Sequence, residues 1–159
     1  MLEVTVICIG KLKEKYLRDA SDEYIKRLSR YCKLEITELE PIRLSENPSK
    51  SEINAALEKE AVLIEKKIPK GTMLVALCIE GVQITSEQLS RTVEKAEMHS
   101  GGITFVIGSS FGLAERVKQS ADICMSFSRM TFPHQLFRIM LLEQIYRAFK
   151  IEEGGAYHK

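Results

Sequence analysis

Apolar residues follow two alternating rhythms along this chain: short runs rich in Val, Ile and Leu, and longer stretches where apolar positions recur every three or four residues. The short runs predict strands and the longer stretches predict helices. Their alternation is the pattern of a parallel sheet joined by crossover helices, an α/β fold. Residues 2–9 read as a first strand that Gly10 ends. Tyr16, Leu17, Ala20, Tyr24, Leu28 and Tyr31 then recur at helical spacing and predict a helix that stops near Cys32.

Residues 34–39 read as a second strand, and a polar loop holding Pro41 and Pro48 leads to Ser49 and Glu52. That pair has the spacing of a capping box, ahead of a helix with Ile53, Leu57, Ala61, Ile64 and Ile68 on one face. Residues 73–79 are wholly apolar, as in a strand buried on both sides. After Gly81 a helix is predicted over 86–99. Another buried strand, 102–107, runs into Gly108, Ser109, Ser110, Phe111 and Gly112. A short helix over 113–119, a strand over 123–127, a loop through Pro133 and a helix over 134–150 complete the chain.

The last helix is apolar around most of its circumference, through Leu136, Phe137, Ile139, Met140, Leu141, Leu142, Ile145, Ala148 and Phe149. One domain face does not bury all of these. The simplest cover for the surplus is the same helix of a second copy about a twofold axis, so a homodimer is expected.

A chain of 159 residues has room for one sizeable core, so a single domain over 1–159 is expected. No apolar run nears the roughly 20 residues that span a bilayer, and charge arrives too early for a signal peptide, which predicts a cytoplasmic protein with no membrane partner. Cys8, Cys32, Cys78 and Cys124 lack CxxC or Cys/His spacing and read as reduced core thiols rather than metal ligands, so no metal is expected. The net charge of +1 excludes a globally basic nucleic-acid binder, yet two clusters concentrate positive charge. One is Lys11, Lys13 and Lys15; the other is Arg129, Arg138, Arg147 and Lys150, opposed only by Glu143. Each is a patch available for phosphates.

Ligands of open parallel sheets bind beyond the carboxyl ends of the strands, which here means the loops after Ile79, Ile107 and Phe127. Gly108 and Gly112 allow close approach of the backbone to a ligand. Their sequence is neither GxGxxG nor a Walker loop, which argues against a triphosphate. More specific are V-x-x-I-G-K-L-K-x-K-Y from Val6, L-x-I-x-G from Leu77, FVIG from Phe105, S-x-S-R-M-T-F-P-H-Q from Ser126 and the final A-Y-H-K. With these motifs the chain resembles, over its whole length, the RlmH family of SPOUT methyltransferases.

The resemblance implies a parallel sheet with flanking helices, a C-terminal trefoil knot and a homodimer. It implies S-adenosyl-L-methionine as cofactor and N3 of a pseudouridine in 23S ribosomal RNA of the assembled ribosome as methyl acceptor. Carried over by position, the cofactor pocket is Leu77, Gly108, Phe127, Ser128, Arg129, Met130, Thr131 and Phe132, and the catalytic residues are Arg147, Tyr157 and His158. The chain departs from the family in having Ser109 where a second glycine is usual, and in Phe111. An imide N3 carries a proton at neutral pH, so a cation such as Arg147 or His158 beside it favours the anion, and Tyr157 is placed to stack or hydrogen-bond. Glu143, four residues before Arg147, reads as its salt-bridge partner, and His134 at a helix start reads as a neutral residue. The glycine-rich tail 154–159 is expected to be mobile in the free protein and to reach the other subunit. Two other readings stand beside this one: a ribosome-associated binding module without catalysis, and a SPOUT methyltransferase acting on transfer RNA.

Overall fold

The computed structural model describes residues 1–157. In chain order it contains β1 (Leu2–Ile9), α1 (Lys15–Leu28), β2 (Cys32–Leu39), α2 (Lys50–Glu65), β3 (Met73–Gln83), α3 (Ser86–His99), β4 (Ile103–Ile107), α4 (Glu115–Ser120), β5 (Ile123–Ser126) and α5 (His134–Glu152). The strands form one sheet in the order β2-β1-β4-β3-β5, and every neighbouring pair is parallel. The expected α/β fold is the fold found.

Alternation along the strands divides the core in two. On one face Val4, Val6, Val75, Leu77, Phe105 and Ile107 pack against Leu28 of α1, Leu89 and Val93 of α3, and Leu141, Leu142 and Ile145 of α5. On the other, Ile7, Ile9, Leu74, Ala76 and Val106 meet Ala61 and Ile64 of α2 and Val117 of α4. Helices therefore cover both faces, as a sheet buried on both sides requires.

The structure moves several boundaries. Helix α1 stops at Leu28, where the Ser29 hydroxyl donates to the Lys26 carbonyl (2.7 Å) and competes with the helical ladder. This frees Cys32 to pair with Leu2, so β2 starts earlier than the hydrophobic pattern suggests. Strand β3 runs through Gly81 to Gln83, with a register shift against β5 between Leu77 and Val82. Gly81 is therefore no breaker: a Cβ there would lie 2.7 Å from the Cys124 carbonyl oxygen, so the residue permits close approach of two strands. The Ser49/Glu52 capping box is present on α2, and a second box, Thr85/Gln88, starts α3.

Helix α5 lies across α1 and α3. Leu141, Leu142, Ile145 and Ala148 are fully buried within this one protomer, each large side chain contributing about 2 kcal/mol of apolar burial. Part of the circumference expected to need a second copy is thus covered internally. Leu136 stays exposed, and Ile139 and Met140 are half-buried. Among the described residues, no helix is long and apolar enough to cross a membrane.

The first turns of α5 are pinned by Arg138, whose side chain is 5% exposed. Its Nη1 donates to Glu38 Oε2 at the end of β2 (2.7 Å) and its Nη2 to the Gly10 carbonyl after β1 (2.9 Å). Removing one partner of such a pair leaves a buried charge uncompensated. Because Glu38 is itself 35% exposed, Glu38→Ala should lower the unfolding free energy by about 2 kcal/mol, less than the 3–5 typical of fully buried pairs. Urea denaturation checks this, and an unchanged midpoint would show that the pair holds nothing in place.

Candidate active site

Residues 77–80 of β3 and the loops after β4 and β5 enclose a cavity of about 620 Å³ at the carboxyl end of the sheet, a volume typical of small-molecule sites; the loop expected after Ile79 is instead strand as far as Gln83. Leu77, Gly108, Phe127, Ser128, Met130, Thr131 and Phe132 all line it. Arg129, the eighth position carried over to the cofactor pocket, is exposed and stands outside the lining. The wall also includes Ile79, Glu80, Leu113, Lys118, His134 and Phe137. Of these the sequence pointed only to the segment after Ile79 and to His134 as a neutral residue; Lys118 and Phe137 were missed because they come from helices and reach the site only through packing.

Gly108 is where the backbone closes on itself. A Cβ there would sit 2.2 Å from the Gly112 carbonyl oxygen, and the turn is sealed by a bond from Gly112 N–H to the Ser109 carbonyl (2.8 Å). After β5, the Ser126 hydroxyl donates to the Ser128 carbonyl (2.9 Å) and the Ser128 hydroxyl accepts from Met130 N–H (3.0 Å). These local bonds fix the loop in the shape that presents Phe127 and Thr131 to the cavity. Phe127 also rests on Phe137 of α5, with ring centroids 4.7 Å apart.

Charge at this cavity is arranged in pairs. Glu80 and Lys118 form an ion pair, and the hydrogen bond from Lys118 holds the Glu80 carboxyl below its usual range. The half-buried His134 ring titrates below its ordinary value, mainly through desolvation and secondarily through the positive charges of Arg138 and Lys13, so it is neutral at pH 7. Burial pushes the Cys78 thiol up to about 11, which keeps it protonated and inert. Among the described residues, no group of His, Cys, Asp and Glu converges as metal ligands.

A second cavity, of about 590 Å³, shares Met125, Phe127, Ser128 and Phe132 with the first and extends to Tyr24, Met140 and Glu143. The Glu143 carboxylate is a hub. Its Oε1 accepts from Arg147 Nη2 (2.6 Å), Arg147 Nε (3.1 Å) and the Tyr157 hydroxyl (3.2 Å), and its Oε2 accepts from Gln144 (2.9 Å). The Arg147 guanidinium lies over the Tyr157 ring at 4.7 Å, and Tyr146 meets that ring edge-on at 5.1 Å. The hydrogen bond to Glu143 raises the Arg147 pKa; burial, then the Glu143 charge, raise that of Tyr157. Arg147 therefore stays cationic and Tyr157 keeps its proton at neutral pH.

The expected Glu143–Arg147 pair is present. The tail expected to be loose is held as far as Tyr157, because the carboxylate and the guanidinium face give its ring and hydroxyl a partner. His158 lies outside the described residues. Arg147 and Tyr157 line neither cavity of their own protomer; they attach to Glu143, which lines only the second.

The basic cluster at 129–150 largely dissolves into internal contacts. Arg138 is committed to Glu38, Arg147 to Glu143, and Lys150 to Tyr31 and Glu153. Lys11, Lys13 and Lys15 remain exposed.

A family model described as "Predicted SPOUT methyltransferase" matches residues 2–158. The chain is 52% identical over 159 residues to Ribosomal RNA large subunit methyltransferase H 1 of Clostridium perfringens, covering 99% of this chain and all of that one. It is 49% identical, with the same coverage, to Ribosomal RNA large subunit methyltransferase H of Clostridium botulinum, and 46% identical to the putative protein of that name from Methanococcus maripaludis. Among solved structures, the SpoU methyltransferase AviRb of Streptomyces viridochromogenes, crystallised with AdoMet, aligns at TM-score 0.45 and 12% identity over 96% of this chain and 59% of that chain. A family model spanning almost every residue, together with relatives near half identical from end to end, places the chain in the SPOUT methyltransferase family.

Proposed function

We propose that this protein transfers a methyl group from S-adenosyl-L-methionine to N3 of a pseudouridine in 23S ribosomal RNA, acting on the assembled ribosome as a homodimer. The observation that carries the reading is the carboxyl-end cavity, which gathers β3 and the loops after β4 and β5 around one space of cofactor size. The names of the relatives point to large-subunit ribosomal RNA. The pseudouridine N3 rests on the S-x-S-R-M-T-F-P-H-Q and A-Y-H-K motifs of the family the sequence resembles. The single domain, the C-terminal trefoil crossing and a cytoplasmic location belong to the same reading.

The lining suits the cofactor. Leu77, Ile107, Leu113 and Phe127 offer an apolar bed for a flat purine, while Ser109, Ser110, Ser128 and Thr131 offer hydroxyls and backbone groups for its polar edges. When bound, the cofactor supplies a sulfonium methyl that is already electrophilic. The difficulty is the acceptor, whose imide N3 holds its proton at neutral pH. The N3 proton passes to solvent water, the Arg147 guanidinium stabilises the anion it leaves, and the Tyr157 hydroxyl is a protonated donor beside it. The family motif makes His158 the third proposed catalytic residue. Because Arg147 and Tyr157 line neither cavity of their own subunit, the reading has them serve the cofactor cavity of a second copy. Exposed Leu136, with Ile139 and Met140 behind it, supplies apolar surface for that contact. The Glu143, Arg147 and Tyr157 unit can be presented whole, without the tail leaving its hub.

Gly108→Val forces the backbone of Gly112 aside and should abolish S-adenosylmethionine binding in calorimetry; unchanged affinity would show that the pocket lies elsewhere. Arg147→Ala should leave that affinity intact and lower the methylation rate by roughly a hundredfold or more, as loss of a charge-stabilising donor does, so an unchanged rate would remove Arg147 from the chemistry. With tritiated cofactor, intact ribosomes should accept methyl far faster than naked ribosomal RNA, and nucleoside digestion should yield N3-methylpseudouridine. Label on another base, or equal transfer to both substrates, would contradict the assignment.

A further inference from the structure

The lysine cluster that stays at the surface sits on the loop joining β1 to α1, at the same end of the sheet as the first cavity. The loop is built rigidly. Arg18 Nη1 donates to the carbonyls of Lys13 (2.6 Å) and Leu12 (3.3 Å), and Lys13 N–H donates to Gln135 Oε1 at the start of α5 (2.9 Å). Gly10 N–H donates to the Leu39 carbonyl (2.8 Å), and the Gly10 carbonyl accepts from Arg138. His134, next to Gln135, lines the first cavity, so the loop flanks its mouth.

Within residues 10–18, Lys11, Lys13, Lys15 and Arg18 face one acid, Glu14. Tyr16 among them is 69% exposed. Lys11 and Lys15 reach Glu40 (3.6 Å) and Asp19 (2.7 Å), but ion pairs this exposed contribute little and exchange readily for a phosphate. Lysines beside an exposed aromatic ring are the combination that takes unpaired RNA, phosphates on the charges and a base on the ring. A net charge of +1 provides no diffuse attraction, so affinity for RNA must come from local placement of this kind.

We propose that the segment from Lys11 to Tyr16, the β1–α1 loop with the first residues of α1, is an RNA-docking surface: Lys11 and Lys13 hold phosphates of the ribosomal RNA strand adjoining the target nucleotide, and Tyr16 stacks an unpaired base of that strand. This rests on the ribosomal RNA reading above and adds where the strand is gripped. The ordered loop loses little freedom on binding.

The test is equilibrium binding of the full chain to intact bacterial ribosomes across a salt series, with S-adenosylmethionine calorimetry on each variant as the control for folding. Lys11→Glu with Lys13→Glu should weaken binding at least tenfold and reduce the slope of log affinity against log salt by roughly 1.4 to 1.8. Tyr16→Ala should weaken binding severalfold and Tyr16→Phe should restore it. Unchanged affinity in the lysine variant overturns the proposal. So does weaker binding with an unaltered salt slope, which would show that the two lysines make no ionic contact with phosphates, and so does a Tyr16→Ala protein that binds like wild type. Binding lost in the lysine variant while the wild type transfers no methyl would leave the docking surface standing and defeat the methyltransferase reading instead.

Discussion

Arg138 is a charged side chain almost wholly removed from water, and its two partners, the Glu38 carboxylate and the Gly10 carbonyl, come from the ends of two strands. A buried guanidinium tolerates few arrangements, since an unpaired one is costly. Where it sits, α5 must begin. That starting point sets His134 and Phe137 against the first cavity, puts Gln135 in reach of the lysine loop, and, by continuation of the helix, fixes Glu143 at the second cavity. One internal ion pair thus registers a basic loop, a candidate cofactor pocket and the proposed catalytic cluster on a single helix.

The two cavities differ in character. The first is apolar, with neutral His134 and the Glu80–Lys118 pair compensating each other, which suits a cofactor whose reactive group carries its own charge. The second is bounded by Glu143, whose carboxylate holds Arg147 cationic and, after burial, adds to what keeps Tyr157 protonated. Only the wall of Met125, Phe127, Ser128 and Phe132 is common to both. Under the proposed function, separation of this kind within one protomer is what calls for a second copy to bring donor and acceptor groups together.

Much of this was legible in the sequence. Buried strands such as β4 declare themselves because a sheet covered on both faces leaves few polar positions, Thr104 alone in this strand, and the Ser49/Glu52 box announces its helix through local bonding alone. Seven pocket positions followed from the family motifs. What could not be read depends on partners distant in the chain. The arginines of the last helix look like one surface patch, but Arg138 finds Glu38 a hundred positions away and Arg147 is absorbed by Glu143. Gly81 looks like a strand breaker until the neighbouring strand shows why a side chain has no room there. The tail reads as loose because glycines precede it, and only the fold reveals the carboxylate and aromatic face that receive Tyr157.

Sharing of the site between two copies is tested most directly by mixed dimers that pair a Gly108→Val subunit with one lacking Tyr157 to Lys159. Each parent homodimer should be inactive. If the catalytic cluster serves the neighbouring pocket, the mixed dimer joins the intact pocket of the tail-deleted subunit to the intact tail of the other, and methyl transfer to ribosomes should return at about one site per dimer. A mixed dimer that forms, binds S-adenosylmethionine in one subunit and transfers no methyl would show that each subunit uses its own tail.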